Sequence, residues 1–290
     1  MPHTHYTTLI SAANFAERLA GDAQSVLVFD CSFDLAKPDA GEQAYAGGHI
    51  PGARYLHLEH DLSGPKTGKN GRHPLPERSV LVDTLAAHGL MQGQQVVAYD
   101  AQAGMYAARL WWLLRWLGHD SVALLDGGVQ AWQAAGLQVD TAAAPARARG
   151  DFKARAPLAV TVDAQHVLAN LTTHENIVID ARSADRYRGE NETIDPVAGH
   201  IPGARNRFFK DNLAADGRFK PAHTLRDEFA AIVGQKQPEH VMLHCGSGVT
   251  ACHNALAMEV AGLHGAALYA GSWSEWCADP SRPVATGPNP

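Results

Sequence analysis

Cys245 ends a short apolar run, Val241-Met242-Leu243-His244, and opens the loop Gly246-Ser247-Gly248-Val249-Thr250, after which an Ala-rich helical pattern begins near Ala251. Short runs of Val, Ile and Leu bounded by polar or glycine residues read as buried strands. The thiol therefore stands where a strand gives way to a helix. Two glycines let the intervening backbone curl until successive N–H groups point at one centre. Those donors, with the positive end of the following helix, favour a sulfur anion, the state that nucleophilic chemistry at sulfur requires. The alternative is an inert buried cysteine, which has no need of a Gly-x-Gly loop with a helix behind it.

The chain repeats itself, and the repeat shows what must hold this loop. Gly48-His49-Ile50-Pro51-Gly52-Ala53-Arg54 returns letter for letter as Gly199-His200-Ile201-Pro202-Gly203-Ala204-Arg205. Val26 to Asp30 precedes the first copy and Ile177 to Asp180 the second. Val96 to Asp100 follows the first and Val241 to Cys245 the second. Each half closes on a glycine and a tryptophan, Gly127 and Trp132, then Gly271 and Trp276. The position matching Cys245 is Asp100, whose carboxylate cannot attack sulfur. One half is expected to carry chemistry and the other to support it.

Helical patterns separate the strand runs, among them Gly104 to Leu117 and Ala251 to Leu263, with helix starts after Ser11 and Pro221. Alternating strand and helix implies an α/β fold, each half a central, mostly parallel sheet with helices on both faces. Ligands of such folds gather beyond the carboxyl ends of the strands, where Asp100 and Cys245 lie. The expected division is residues 1–145 as an inactive domain, 146–158 as an exposed Ala/Arg/Pro-rich linker, and 159–290 as the catalytic domain. The Pro-rich tail 280–290 reads either as a strap or as a frayed end. Arg54 to Asp100 spans 46 positions and Arg205 to Cys245 only 40. The surplus falls in the polar loop Ser63 to Pro74, long enough to reach across a domain interface.

The chain has 290 residues, 46% of them hydrophobic and 19% charged, and a net charge of −6. That profile excludes disorder and coiled coils. The absence of a basic block argues against nucleic acid or an anionic membrane as partner. No apolar run approaches the roughly 18 residues of a membrane span. The polar start Met1 to Leu9, with His3 and His5, lacks secretory character. Cys31, Cys245, Cys252 and Cys277 are too few and scattered for a disulfide framework, which predicts reduced thiols and a cytoplasmic location. Cys31, Cys252 and Cys277 read as structural. Among the 16 histidines, His57 and His60, or His240 and His244, suggest no complete metal site. No cofactor is expected, and the Gly246 and Gly248 pair lacks the rest of a dinucleotide fingerprint.

The paired Gly-His-Ile-Pro-Gly-Ala segments, the Asp before each and the strand–Cys–loop–helix order resemble the tandem rhodanese sulfurtransferases, from about Thr8 to Trp276. In that family only the C-terminal copy keeps the cysteine, as here. The resemblance implies two tandem rhodanese-like domains with the active site between the halves. It also implies a two-step reaction, in which Cys245 takes a sulfane sulfur from a small-molecule donor as a persulfide and passes it to a thiol or cyanide. Thioredoxin, glutathione and a biosynthetic protein remain open as acceptors.

In the family, Cys-Gly-Ser-Gly-Val-Thr accompanies 3-mercaptopyruvate as donor, whereas thiosulfate enzymes place cations after the cysteine. Gly246, Ser247, Gly248, Val249 and Thr250 match the first pattern. The loop itself offers no side-chain cation for a dianion, and Ser247 can bond the transferring sulfur or the leaving enolate. Thiosulfate with the same mechanism is the alternative donor. The family's anion-binding position maps onto Arg186, whose planar guanidinium suits a carboxylate through two parallel bonds. Arg188 is a weaker candidate. A second substrate arginine, carried a few residues further on by vertebrate mercaptopyruvate enzymes, has no counterpart in Gly189 to Pro196. The assisting acid and histidine of the first half map onto Glu59 and His73. A cysteine phosphatase would need an arginine where Ala251 stands. A non-catalytic persulfide carrier would not need the intact Cys245 loop.

Overall fold

A computed structural model describes residues 5–290 of the chain. Residues 1–4, with His3 of the segment read above as non-secretory, lie outside the described residues. The chain divides into two compact units. Unit one runs β1 (Leu9–Ile10), α1 (Ala12–Asp22), β2 (Val26–Asp30), α2 (Ala40–Gly47), β3 (Arg54–Tyr55), α3 (Arg78–Ala87), β4 (Gln95–Tyr99), α4 (Ala107–Trp116), β5 (Val122–Leu125) and α5 (Gly128–Ala134). Unit two runs β6 (Val160–Val162), α6 (Ala164–Thr173), β7 (Ile177–Asp180), α7 (Ala184–Arg188), β8 (Arg205–Asn206), α8 (Ala222–Val233), β9 (Val241–His244), α9 (Thr250–Val260), β10 (Ala267–Tyr269) and α10 (Ser272–Trp276).

The sheets have the same plan, with orders β1-β5-β4-β2-β3 and β6-β10-β9-β7-β8 and every pairing parallel. Their central strands are buried along their whole length, because alternate side chains serve opposite faces. Val26, Val28, Val97 and Tyr99 pack with Phe15 of α1 and Trp132 of α5. Leu27, Phe29, Val96 and Ala98 face the other way, where α4 lies on β4 and β5. In unit two, Val178 and Met242 pack with Val167 of α6 and Trp273 and Trp276 of α10, while α9 lies on β9 and β10. The predicted parallel α/β layering is therefore present in each unit. Both expected helix starts are found: the Ser11 hydroxyl caps α1 through Asn14 N at 3.2 Å, and α8 follows Pro221.

The heptapeptide makes the same contacts twice. His49 stacks on Tyr45 with ring centroids 4.0 Å apart, and its Nδ1 lies 2.7 Å from the Tyr45 carbonyl. His200 stacks on Tyr187 at 3.8 Å, with Nδ1 2.8 Å from the Tyr187 carbonyl. Each tyrosine hydroxyl donates back to the heptapeptide, at Ala53 O and Ala204 O. Each histidine backbone pairs in both directions with a late segment of its unit, His49 with Asp140 and His200 with Ala285.

Three segments depart from or resolve the expectations. Residues 146–158 are not a free linker but part of unit one. Gly150 N donates to Ala86 O, Phe152 N to Leu90 O and Arg155 N to Leu117 O, and the Phe152 ring is 3% exposed. Gly150 runs so close to the chain that an added Cβ would stand 1.8 Å from Leu90 O. The Pro-rich tail is a strap, bonded through Ala285 to His200, Gly287 to Arg188 and Pro283 O to Trp276 Nε1. Finally, Pro65–Leu75 of the long polar loop is part of unit two, and Asp216–Arg218 is part of unit one.

Candidate active site

In unit two, β9 lies at the middle of the sheet and delivers Cys245 at its carboxyl end. The start of α10 holds the loop from behind. Cys245 N donates to Ser272 Oγ at 3.1 Å, while Trp273 N and Ser274 N donate at 2.9 Å to the carbonyls of Cys245 and Gly246. Gly248 N–H donates to Cys245 Sγ at 3.1 Å, a loop amide aimed at the sulfur as the glycine spacing predicts. Gly248 has φ +75°, and an added Cβ would stand 2.2 Å from Ala270 O, so the turn requires glycine twice over. Val249 is buried and precedes Thr250, the first residue of α9, whose amino end therefore begins five positions after the thiol.

Ser247 and His73 meet: Oγ and Nδ1 are 2.8 Å apart, and both residues are buried. Arg186 projects from α7 with its fork already engaged. Its Nε and Nη2 lie 2.9–3.2 Å from the Glu192 carboxylate, and Nη2 lies 3.1 Å from Asp195 Oδ2. The expected two-bond grip of this edge on a substrate is thus occupied by an acid of the chain itself. Arg188 parts company with it and pairs with exposed Glu190 at 2.8 and 2.6 Å. Glu59 belongs to unit one, in the turn after β3, where its backbone N–H donates to His57 Nδ1 at 3.1 Å. The rings of His57 and His60 stack 4.0 Å apart.

Arg72 is the residue that sequence reasoning missed. Its Nη1 donates to Asp195 Oδ1 at 2.6 Å, and its backbone N–H to Ser274 Oγ at 3.0 Å. A Cβ built on Gly246 would lie 3.1 Å from Arg72 Nη2 and 3.6 and 3.7 Å from Arg186 Nη2 and Nη1. Two guanidinium groups therefore overhang the residue next to the thiol. The signal was the surplus length of the loop that carries Arg72 and His73, but nothing local says where such a loop lands.

Beneath them, Asp180 and Arg182 form a buried pair with Nη2 2.7 Å from Oδ2, and Arg182 Nη1 reaches Glu192 at 3.2 Å. Burial pushes the Asp180 carboxyl up, but Arg182 and His244 outweigh it and hold the carboxyl at about 2. Cys252 is buried on α9 and its Sγ donates to Gly248 O, as a structural thiol would. Burial pushes the Cys31 and Cys277 thiols up, which makes them poor nucleophiles.

A parallel α/β unit found twice, with an amide-cradled thiol after the central strand of the second, defines the class. The chain belongs to the rhodanese-like domain family, which matches residues 11–135 and 163–279. It is 48% identical over 281 residues to a protein of Pseudomonas aeruginosa named "Probable 3-mercaptopyruvate sulfurtransferase", covering 96% of this chain and 98% of that one. It is 33% identical over 295 residues to the thiosulfate sulfurtransferase of Mus musculus, covering 97% and 96%. The solved 3-mercaptopyruvate sulfurtransferase of Leishmania major superposes with a TM-score of 0.79 at 29% identity, over 93% of this chain and 74% of that one.

Proposed function

We propose that the chain is a sulfurtransferase that moves a sulfane sulfur from 3-mercaptopyruvate to a thiol or cyanide through a persulfide on Cys245. The observation that carries the reading is the Gly248 N–H donated to Cys245 Sγ at the end of a central strand. A preset amide stabilises negative charge on sulfur without having to reorganise during reaction. The Cys245 thiolate attacks the donor's sulfur. An S–S bond forms, the C–S bond breaks, and its electron pair stays on carbon as the enolate of pyruvate, which takes up a proton. An acceptor thiolate then attacks the outer sulfur and releases Cys245 as thiolate.

Ser247, with His73 on its Oγ, is placed to bond the enolate oxygen and pass it a proton. Arg186 holds the donor carboxylate, and Gly246 lets it approach the thiol. We assign no part to Arg188, whose charge is matched by Glu190. Relatives of this chain carry both donor names, so the donor choice rests on the loop. Gly246 to Thr250 brings no side-chain cation, and the arginines above it are matched by acids, an arrangement suited to a monoanion more than to dianionic thiosulfate. Glu59, by its position in the sequence, is our candidate for the assisting acid. Thioredoxin is our candidate protein acceptor. Four free thiols suit a reducing compartment such as the cytoplasm.

The test is kcat/KM for both donors, with intact-mass detection of one added sulfur on Cys245. Mercaptopyruvate should be preferred, and Arg186→Ala should lower its kcat/KM by about 10–100-fold. A clear preference for thiosulfate would reverse the donor assignment. Turnover with phosphate esters would replace the reaction class.

A further inference from the structure

We infer that His244, the last residue of β9, is a positioning residue for the nucleophile: it holds the Cys245–Gly246 peptide so that the peptide N–H serves the charge developing on sulfur. The inference rests on the sulfurtransferase reading for the reaction that is served, and on geometry alone for the contact. Strand alternation puts His244 on the same face of β9 as Met242, towards α10, and the ring is fully buried. Its Nδ1 lies 3.2 Å from Cys245 O. A carbonyl can only accept, so Nδ1 carries the ring proton. Trp273 N–H donates to the same oxygen at 2.9 Å, which occupies both of its lone pairs. The peptide is trans, so Gly246 N–H points away from the side on which these two donors hold the oxygen. Donation into the carbonyl also polarises the peptide and strengthens that N–H as a donor.

The other side of the ring shows what this contact costs. Nε2 is buried with no hydrogen-bond partner among the described residues, and it lies 3.7 Å from Asp180 Oδ2. With the proton on Nδ1, Nε2 turns a lone pair towards that carboxylate. The charged and titratable groups around the ring are Asp180 at the end of β7, Arg182 just after it and His200 of the heptapeptide. Burial, with Arg182 and His200, pushes the His244 pKa down against the pull of Asp180, so the ring is uncharged at neutral pH. An apolar side chain would fill this place without an orphaned nitrogen. The bond to Cys245 O is what a histidine adds there.

The experiment uses the full chain with His244→Leu, which fills the site without a donor, and His244→Asn, whose amide places Nδ2 near the position of Nδ1. Alkylation of Cys245 by neutral iodoacetamide across pH, followed by peptide mass, needs no turnover. The other readouts are kcat/KM for mercaptopyruvate and Tm. His244→Leu should lower the alkylation rate at pH 7 and kcat/KM by about 3–10-fold each and move the alkylation profile to higher pH, while Tm holds or rises. His244→Asn should recover most of both rates. In the unmodified chain, nitrogen NMR should show the Nδ1–H tautomer at pH 7, the His244 signal being the one that His244→Asn removes. This readout and the Asn variant decide the matter should His244→Leu fail to fold. The Nε2–H tautomer overturns the inference, as does an Asn variant that alkylates no faster than His244→Leu or, if His244→Leu does not fold, more than about threefold slower than the unmodified chain. Alkylation unchanged in His244→Leu overturns it too, and with sulfur transfer intact leaves the sulfurtransferase reading standing. A chain that transfers no sulfur yet shows His244-dependent alkylation supports the positioning role and overturns that reading.

Discussion

The loops after β4 and β9 follow one plan and end in opposite conditions. After β4, Asp100 turns its carboxylate into its own loop. Oδ1 accepts from Gln102 N and Gly104 N at 2.9 and 2.8 Å, and Oδ2 from Tyr106 N and Ala107 N at 2.8 Å each. Burial pushes the Asp100 carboxyl up, with the four amides pulling against it. After β9, Cys245 Sγ accepts from Gly248 N at 3.1 Å. A curled strand-to-helix loop gathers N–H groups whatever residue begins it. If that residue brings two oxygens, the loop is satisfied from within and becomes architecture. If it brings one sulfur, the same loop holds a nucleophile.

The largest effect expected from this contrast is on chemistry. Cys245→Ala should lower sulfur transfer by about a thousandfold or more and abolish the added sulfur in the mass spectrum. Retention of most of the rate would end the distinction between the loops. The next effect is on stability, and it falls on the other loop. Asp100→Ala leaves four N–H groups, three of them buried, without their acceptor and should cost about 3–5 kcal/mol in urea unfolding. Cys245→Ala should cost only about 1 kcal/mol by the same measurement. Equal costs would mean that Asp100 is not what closes the first loop.

Acid sharpens the comparison at the neighbouring strands. Asp180 and Asp30 end β7 and β2, but only Asp180 has an arginine against it. Arg182 keeps Asp180 at about 2, below its ordinary 3.8, so this carboxylate stabilises unit two above pH 4. That contribution, on the order of 2 kcal/mol, drains away as pH falls from about 4 towards 2. Burial instead pushes Asp30 up, despite its bonds to Ser32, so its contribution moves the opposite way and is lost as pH rises through its folded value. Hydrogen exchange near pH 3 should show unit two losing protection before unit one, and the reverse order would contradict this assignment. The smallest effect belongs to Ser247→Ala. Losing the Oγ that meets His73 should reduce kcat for mercaptopyruvate by about 3–10-fold while leaving Cys245 able to form a persulfide.

The parts of the fold written in local pattern were legible. The apolar runs ending at Asp30, Asp100, Asp180 and Cys245 lie in the buried sheets, and the patterns at Gly104–Leu117 and Ala251–Leu263 contain α4 and α9. Two-residue strands such as β3 and β8 have no period to detect. Residues 146–158 misled because their binding to unit one depends on backbone carbonyls at Ala86, Leu90 and Leu117, which no composition records. The Cys245 loop could be read because strand, glycines and helix are contiguous. Arg72 could not, since its partner Asp195 lies 123 positions away. Arg186 could be singled out in the sequence, but its engagement by Glu192 depends on how residues 189–196 fold back.

The twice-written heptapeptide, the most conspicuous feature of the chain, carries none of the proposed chemistry. In both units it works as a buckle: a histidine clamped to a tyrosine on one side and fastened to the late chain on the other. A buckle is needed wherever the garment is worn, whether or not anything is kept in the pocket. That is why the half without a nucleophile still has it, and why a chain found by this segment alone declares how it is assembled and leaves open whether it reacts. Reactivity has to be read elsewhere, from the single position where a strand runs out and either a carboxylate or a sulfur comes next.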